Sequence, residues 1–66
     1  MTLAERLLNH RAKYGLTQTE LDNLLGVSSQ TVYRIESGHK PRRVREIMIV
    51  RKLNELEGKG DENVQM

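Results

Sequence analysis

Gln30, Tyr33, Arg34 and Ser37 are spaced at i, i+3, i+4 and i+7. On a helix that spacing sets four polar side chains along one face. They bring an amide, a phenol, a guanidinium and a hydroxyl, groups that donate and accept hydrogen bonds. No nucleophile–base set and no phosphate-cradling glycine loop accompanies them, so the row suits recognition rather than bond making. Glutamine can hold adenine N6 and N7 together, arginine can hold guanine O6 and N7, and a major groove is about wide enough to admit the helix that carries them. Each such bidentate contact is worth about 1–3 kcal/mol of discrimination.

The elements that must position this row lie within Thr17 to Gly38, TQTELDNLLGVSSQTVYRIESG. Thr17 and Glu20 form a Thr-x-x-Glu helix start, in which each side chain reaches the other residue's backbone N–H. Leu21, Leu24 and Leu25 then recur at i, i+3 and i+4, an apolar helix face. Gly26 ends that helix, Val27 is an apolar plug, and Ser28 is expected to cap a second helix. That helix turns Val32, Ile35 and Glu36 inward and ends at Gly38.

Thr17-Gln18, Leu21, Gly26-Val27-Ser28, Val32, Ile35-Glu36, Gly38 and Pro41 together resemble the helix-turn-helix of the phage lambda repressor/Cro-like family, over about Leu3 to Leu53. The resemblance implies an all-α domain of four to five helices that binds duplex DNA. Gln18 and Ser28, at two helix starts, can turn backbone N–H groups toward phosphate. By resemblance, Gln18 also bridges the DNA backbone and an outer base pair, and Ser29 and Gln30 read base edges. Arg34 lies one turn further on and can meet guanine or a phosphate. Tyr33 can pack on a thymine methyl or donate to phosphate, and Thr31 either reaches the DNA backbone or packs beside Leu21. Asp22 departs from the family, which places a small apolar residue there. Its carboxylate must reach water, or accept from Thr31 or a nearby backbone N–H.

Upstream, Thr2 and Glu5 form a second Thr-x-x-Glu start. Leu3, Ala4, Leu7, Leu8, Arg11 and Ala12 line a helix stripe that runs to about Tyr14, with Gly15 as its stop. Arg11 and Glu36 both fall on apolar stripes, where opposite charges are costly unless they meet. They are expected to pair, as the family's first-helix arginine does with a glutamate closing the recognition helix. Bending outward to water is the alternative. Leu16 leads into the motif as a buried linker residue. His10 reads as a solvated surface group and His39 as a neighbour of phosphate. The two are far apart and no cysteine or third ligand joins them, so no metal site and no cofactor are expected.

After Gly38, Lys40, Arg42 and Arg43 stand at the start of a further helix, with Pro41 in its first turn. They are expected on phosphates. The last helix is read from Arg43 to Leu56. Ile47, Val50 and Leu53 match positions the family packs against the motif. Val44, Met48, Ile49 and Leu56 remain, too many for one core. Either the helix folds back, or Met48, Ile49 and Leu56 meet a second copy. The domain is placed at residues 1–57, with a flexible polar tail at 58–66.

Composition narrows the classes. With no Trp, no Phe and two Tyr among 66 residues, any core must be aliphatic. Cysteine is absent, which excludes a disulfide framework, and no apolar run is long enough to span a membrane. The net charge of +2 is unevenly placed. Residues 28–52 hold seven bases (Arg34, Lys40, Arg42, Arg43, Arg45, Arg51 and Lys52) against Glu36 and Glu46, the footprint of a nucleic-acid face. The reading is a cytoplasmic, nucleoid-associated, non-enzymatic regulator, a repressor on an inverted-repeat operator, acting as a homodimer. An antitoxin with autoregulatory DNA binding, and a toxin or protein antagonist as partner, is the alternative. A monomeric accessory DNA binder is a third.

Overall fold

The computed structural model describes residues 2–58. Four helices follow one another: α1 Leu3–Tyr14, α2 Gln18–Leu25, α3 Thr31–Glu36 and α4 Arg43–Leu56. No strand occurs among the described residues.

Two reciprocal caps start the first two helices. The Thr2 hydroxyl accepts from Glu5 N at 3.2 Å, and Glu5 Oε1 accepts from Thr2 N at 2.9 Å. Thr17 and Glu20 repeat the exchange at 3.0 and 2.8 Å. Each cap fills backbone donors that a helix start leaves empty and contributes about 1 kcal/mol. The ends of α2 and α3 need a backbone turn with positive φ, which Gly26 (φ 72) and Gly38 (φ 107) supply. The chain then folds back on itself, with Val27 N donating to Asp22 O at 3.1 Å and His39 N to Arg34 O at 2.9 Å.

The core is aliphatic. Leu7, Leu21, Val32, Ile49 and Leu53 are fully enclosed, and Leu25 and Ile35 nearly so. Leu3, Ala4, Leu16, Val27 and Leu56 pack around them. Helix α3 lies against α1 and α2, and α4 closes on α2.

Several inward assignments are corrected. Leu8, Ala12, Leu24 and Ile47 lie on the outside. In α4 the buried stripe is Ile49, Leu53 and Leu56, at i, i+4 and i+7, rather than Ile47, Val50 and Leu53. Ile49 is therefore enclosed within its own chain and Leu56 packs on the core. Ile49 is not free to meet a second copy, Leu56 is half-buried, and Met48 is exposed. Pro41 precedes the Arg42 cap of α4 and does not sit in its first turn.

His10 is also corrected, because it is buried rather than solvated. It continues the Leu3–Leu7 stripe at i+7, and its ring lies 4.7 Å from that of Tyr14. Its Nδ1 lies 3.2 Å from Glu57 Oε2. A carboxylate can only accept, so this bond needs the hydrogen on Nδ1. Arg6 donates to Glu57 Oε1 at 3.2 Å and to Asn54 Oδ1 at 3.0 Å. Together these contacts tie α1 to the end of α4. The turn after α4 reaches Gly58 (φ 78). The rest of the tail expected to be flexible, residues 59–66, lies outside the described residues.

The register of α4 makes one prediction. Ile49→Ala should cost about 2–5 kcal/mol in urea unfolding, while Val44→Ala should stay within about 0.5 kcal/mol. Equal costs would mean that α4 is rotated about its axis.

Candidate nucleic-acid interface

Helix α3 has six residues and two faces. Val32 and Ile35 bury one of them. Tyr33, Arg34 and Ser37 point away from the core and are exposed. Tyr33 keeps 53% of its surface.

The start of α3 differs from the sequence expectation. The helix begins at Thr31, and Ser28 does not cap it. Instead Thr31 Oγ1 donates to Ser28 O at 2.7 Å. Ser29 and Gln30 form a turn ahead of the helix, so Gln30 leaves the regular helical row. Gln30 has φ 69, the only positive value outside glycine among the described residues. A side chain there costs roughly 1–2 kcal/mol.

Asp22 supplies what offsets that cost. Its Oδ2 accepts from Gln30 N and its Oδ1 from Val32 N, both at 2.9 Å. Asp22 is only 2% exposed. A buried carboxylate is tolerable when backbone donors surround it, and hydrogen bonds to a charged acceptor contribute about 1.5–3 kcal/mol each. Of the three outcomes open to Asp22 from sequence, the structure has the backbone N–H groups. Helix α3 is thus capped from α2 rather than by its own chain start. The sequence signal was present: Asp22 sits between Leu21 and Leu25 on the buried side of α2, where a carboxylate needs donors.

The other end of α3 is held by Glu36. Arg11 Nε donates to Oε2 and a terminal nitrogen donates to Oε1, both at 2.9 Å, a forked contact. Gln18 Nε2 adds a third bond at 3.0 Å, and Arg11 also donates to Leu16 O at 3.3 Å. Burial pushes the Glu36 carboxyl up, but the bonds from Arg11 and Gln18 and the Arg11 charge outweigh it and hold the group below 4.5. The Glu36 bond raises Arg11 in turn. Gln18, assigned by resemblance to DNA, here has its amide nitrogen on Glu36.

Lys40, Arg42 and Arg43 are exposed, as is Arg34. Among the described residues none of the four enters an ion pair. His39 is exposed, and its Nδ1 lies 3.3 Å from Arg34 O at the end of α3. No three metal-ligating side chains gather among the described residues. The arrangement is therefore a polar ridge with a buried back and an unneutralised basic flank, built to meet an anionic, hydrogen-bonding surface.

A family model for the helix-turn-helix matches residues 7–54, a span that holds α2 and α3 whole and most of α1 and α4. No curated protein and no solved structure matches the chain.

Glu36 makes two expectations. Glu36→Ala should lower stability by about 3 kcal/mol, the low end for breaking a buried pair because Arg11 keeps 23% of its side-chain surface. An unchanged melting temperature would show that the pair holds nothing. Glu36 titrates lower in the folded than in the unfolded chain, so the unfolded chain takes up the extra proton in acid. Its stabilisation is complete above the ordinary value of 4.5 and is lost as pH falls toward the lower folded value. Glu36→Gln should flatten that acid limb of the stability curve, leaving the slope due to Glu5, whose carboxyl Thr2 also holds low.

Proposed function

This chain belongs to the lambda repressor/Cro-like helix-turn-helix family of DNA-binding transcription regulators, and on that premise we propose that it represses transcription as a homodimer on an inverted-repeat operator. The observation that carries the reading is α3 itself. Its apolar back is sealed against α1 and α2, while Tyr33 and Arg34 face outward with Gln30 just ahead of them. In this reading α3 enters the major groove, where Gln30 and Arg34 meet base edges and Ser29 supports them from the turn. Ser28 and Thr31 lie at the phosphate side of that turn, and Tyr33 packs on a thymine methyl or a phosphate. Lys40, Arg42 and Arg43 follow on the phosphate backbone. Gln18 reaches the DNA only at the edge of the Glu36 cluster. Repression needs no more than occupancy, since a protein filling the groove denies the site to polymerase. Among the described residues no helix is long and apolar enough to cross a membrane, and the proposed place of action is the DNA of the cytoplasm.

The dimer reading rests on α4. Val44 (81% exposed), Ile47 (46%) and Met48 (43%) lie at i, i+3 and i+4 and form an exposed apolar stripe in a single copy. A self-complementary contact on that stripe gives a twofold axis. Dimers of this motif read half-sites about 34–36 Å apart.

Selection from random duplexes at a stated salt concentration tests the whole reading. Symmetric, gapped half-sites are expected, and enrichment of no sequence would overturn it. Arg34→Ala should relax preference at one base pair by about 1–3 kcal/mol. Arg43→Ala should weaken binding to every sequence and reduce the salt slope by about one. Met48→Glu should make the chain monomeric in sedimentation at micromolar concentration while keeping its helix content. A dimer that survives this change would place the interface elsewhere.

A further inference from the structure

We propose that Asp22 is a positioning residue for base recognition: it fixes the Ser29–Gln30 turn and so decides what the Gln30 side chain can read, although it touches no base itself. The inference rests on the groove reading above and adds a residue that the reading alone would leave in the core.

Three observations converge on it. The Asp22 carboxylate is buried and bonds two amides, those of Gln30 and Val32, each at 2.9 Å. Gln30 adopts a left-handed conformation that its own residue type disfavours. Helix α3 has no capping side chain at its own start. Without the carboxylate, two amides at the start of the helix lose their acceptor, and Gln30 is left with the bond that Arg34 N makes to its carbonyl at 2.9 Å, which does not fix φ. The turn then relaxes toward an ordinary conformation, and the direction of the Gln30 side chain changes with it. The lever is geometric, because the backbone dihedrals of Gln30 set where its Cβ points before any side-chain rotation. Asp22 reaches the turn from α2, so the packing of α2 on α3 is transmitted directly to a base-reading position.

The test uses the full chain and the operator that selection yields. Affinities are measured at one salt concentration for the operator and for each single base-pair change, in wild type, Asp22→Ala, Asp22→Asn, Gln30→Ala and the Asp22→Ala/Gln30→Ala double variant. Asp22→Ala should cut discrimination about fivefold or more at the base pair that Gln30→Ala also relaxes, and leave the ratios at other positions intact. The double variant should discriminate no worse there than Gln30→Ala alone. Asp22→Asn keeps one acceptor oxygen and should fall between; it decides the matter if Asp22→Ala melts below the assay temperature. A purely structural Asp22 would lower affinity for all sequences together and leave every ratio unchanged, which would overturn the proposal. An independent arm needs no DNA: Asp22→Asn removes one of the two acceptor oxygens, so in the free chain at least one of the Gln30 and Val32 amides should exchange hydrogen at least tenfold faster than in wild type, with the Leu21 amide unchanged. Wild-type exchange rates at both Gln30 and Val32 would overturn the proposal even if the groove reading stands. A wild-type chain that selects no sequence would overturn the groove reading, with the exchange arm still reporting the cap.

Discussion

Six residues are too few for a helix to persist in water without help, so α3 depends on what grips it. Two buried carboxylates do so, one at each end. Asp22 reaches in from α2 and takes the first amides. Glu36 belongs to α3 and is taken by Arg11 of α1 and Gln18 of α2. Either carboxylate would be costly to bury alone, and each is surrounded by donors. No buried side-chain nitrogen or oxygen among the described residues lacks a partner. Helix α3 is therefore located by α1 and α2 acting on its ends as well as by the apolar contacts on its back.

The same division shapes the charge. Arg11 is drawn inward to Glu36, and Arg6 and His10 to Glu57. Arg34, Lys40, Arg42 and Arg43 form no ion pair among the described residues. A chain with a net charge of only +2 can thus present a strongly positive flank, since acids are consumed in the scaffold while these bases stay in solvent. Fields of this kind raise encounter rates and make binding fall steeply with salt. Helix α4 serves two sides, with Ile49, Leu53 and Leu56 toward the core and Val44, Ile47 and Met48 toward solvent.

Local chemistry was legible from sequence wherever neighbours in the chain decide the outcome. The Thr2–Glu5 and Thr17–Glu20 caps, the glycine stops and the bounds of α1 and α4 all depend on residues within a turn of one another. Faces of helices were less legible. Leu8, Leu24 and Ile47 are as apolar as the residues that displaced them, and His10 and Asp22 took buried places that hydropathy assigns to leucine. An apolar stripe covers about 100° or more of a helix, so which edge of it is covered depends on the neighbour's approach. Ser28 is a good capping residue in sequence, but Asp22, six positions earlier, won the amides because α2 brings its carboxylate against the turn.

Read alone, the amino-acid order settled the helix-turn-helix, the two Thr-x-x-Glu caps and the asymmetric placement of the bases, because spacing and residue type act over a few positions. It could not settle the left-handed Gln30, the carboxylate beneath it, or the enclosure of His10 and Ile49. Those outcomes belong to packing: a buried polar group goes wherever donors from another element converge, and that convergence exists only once α1 and α2 have closed around α3 and α4 has closed on α2.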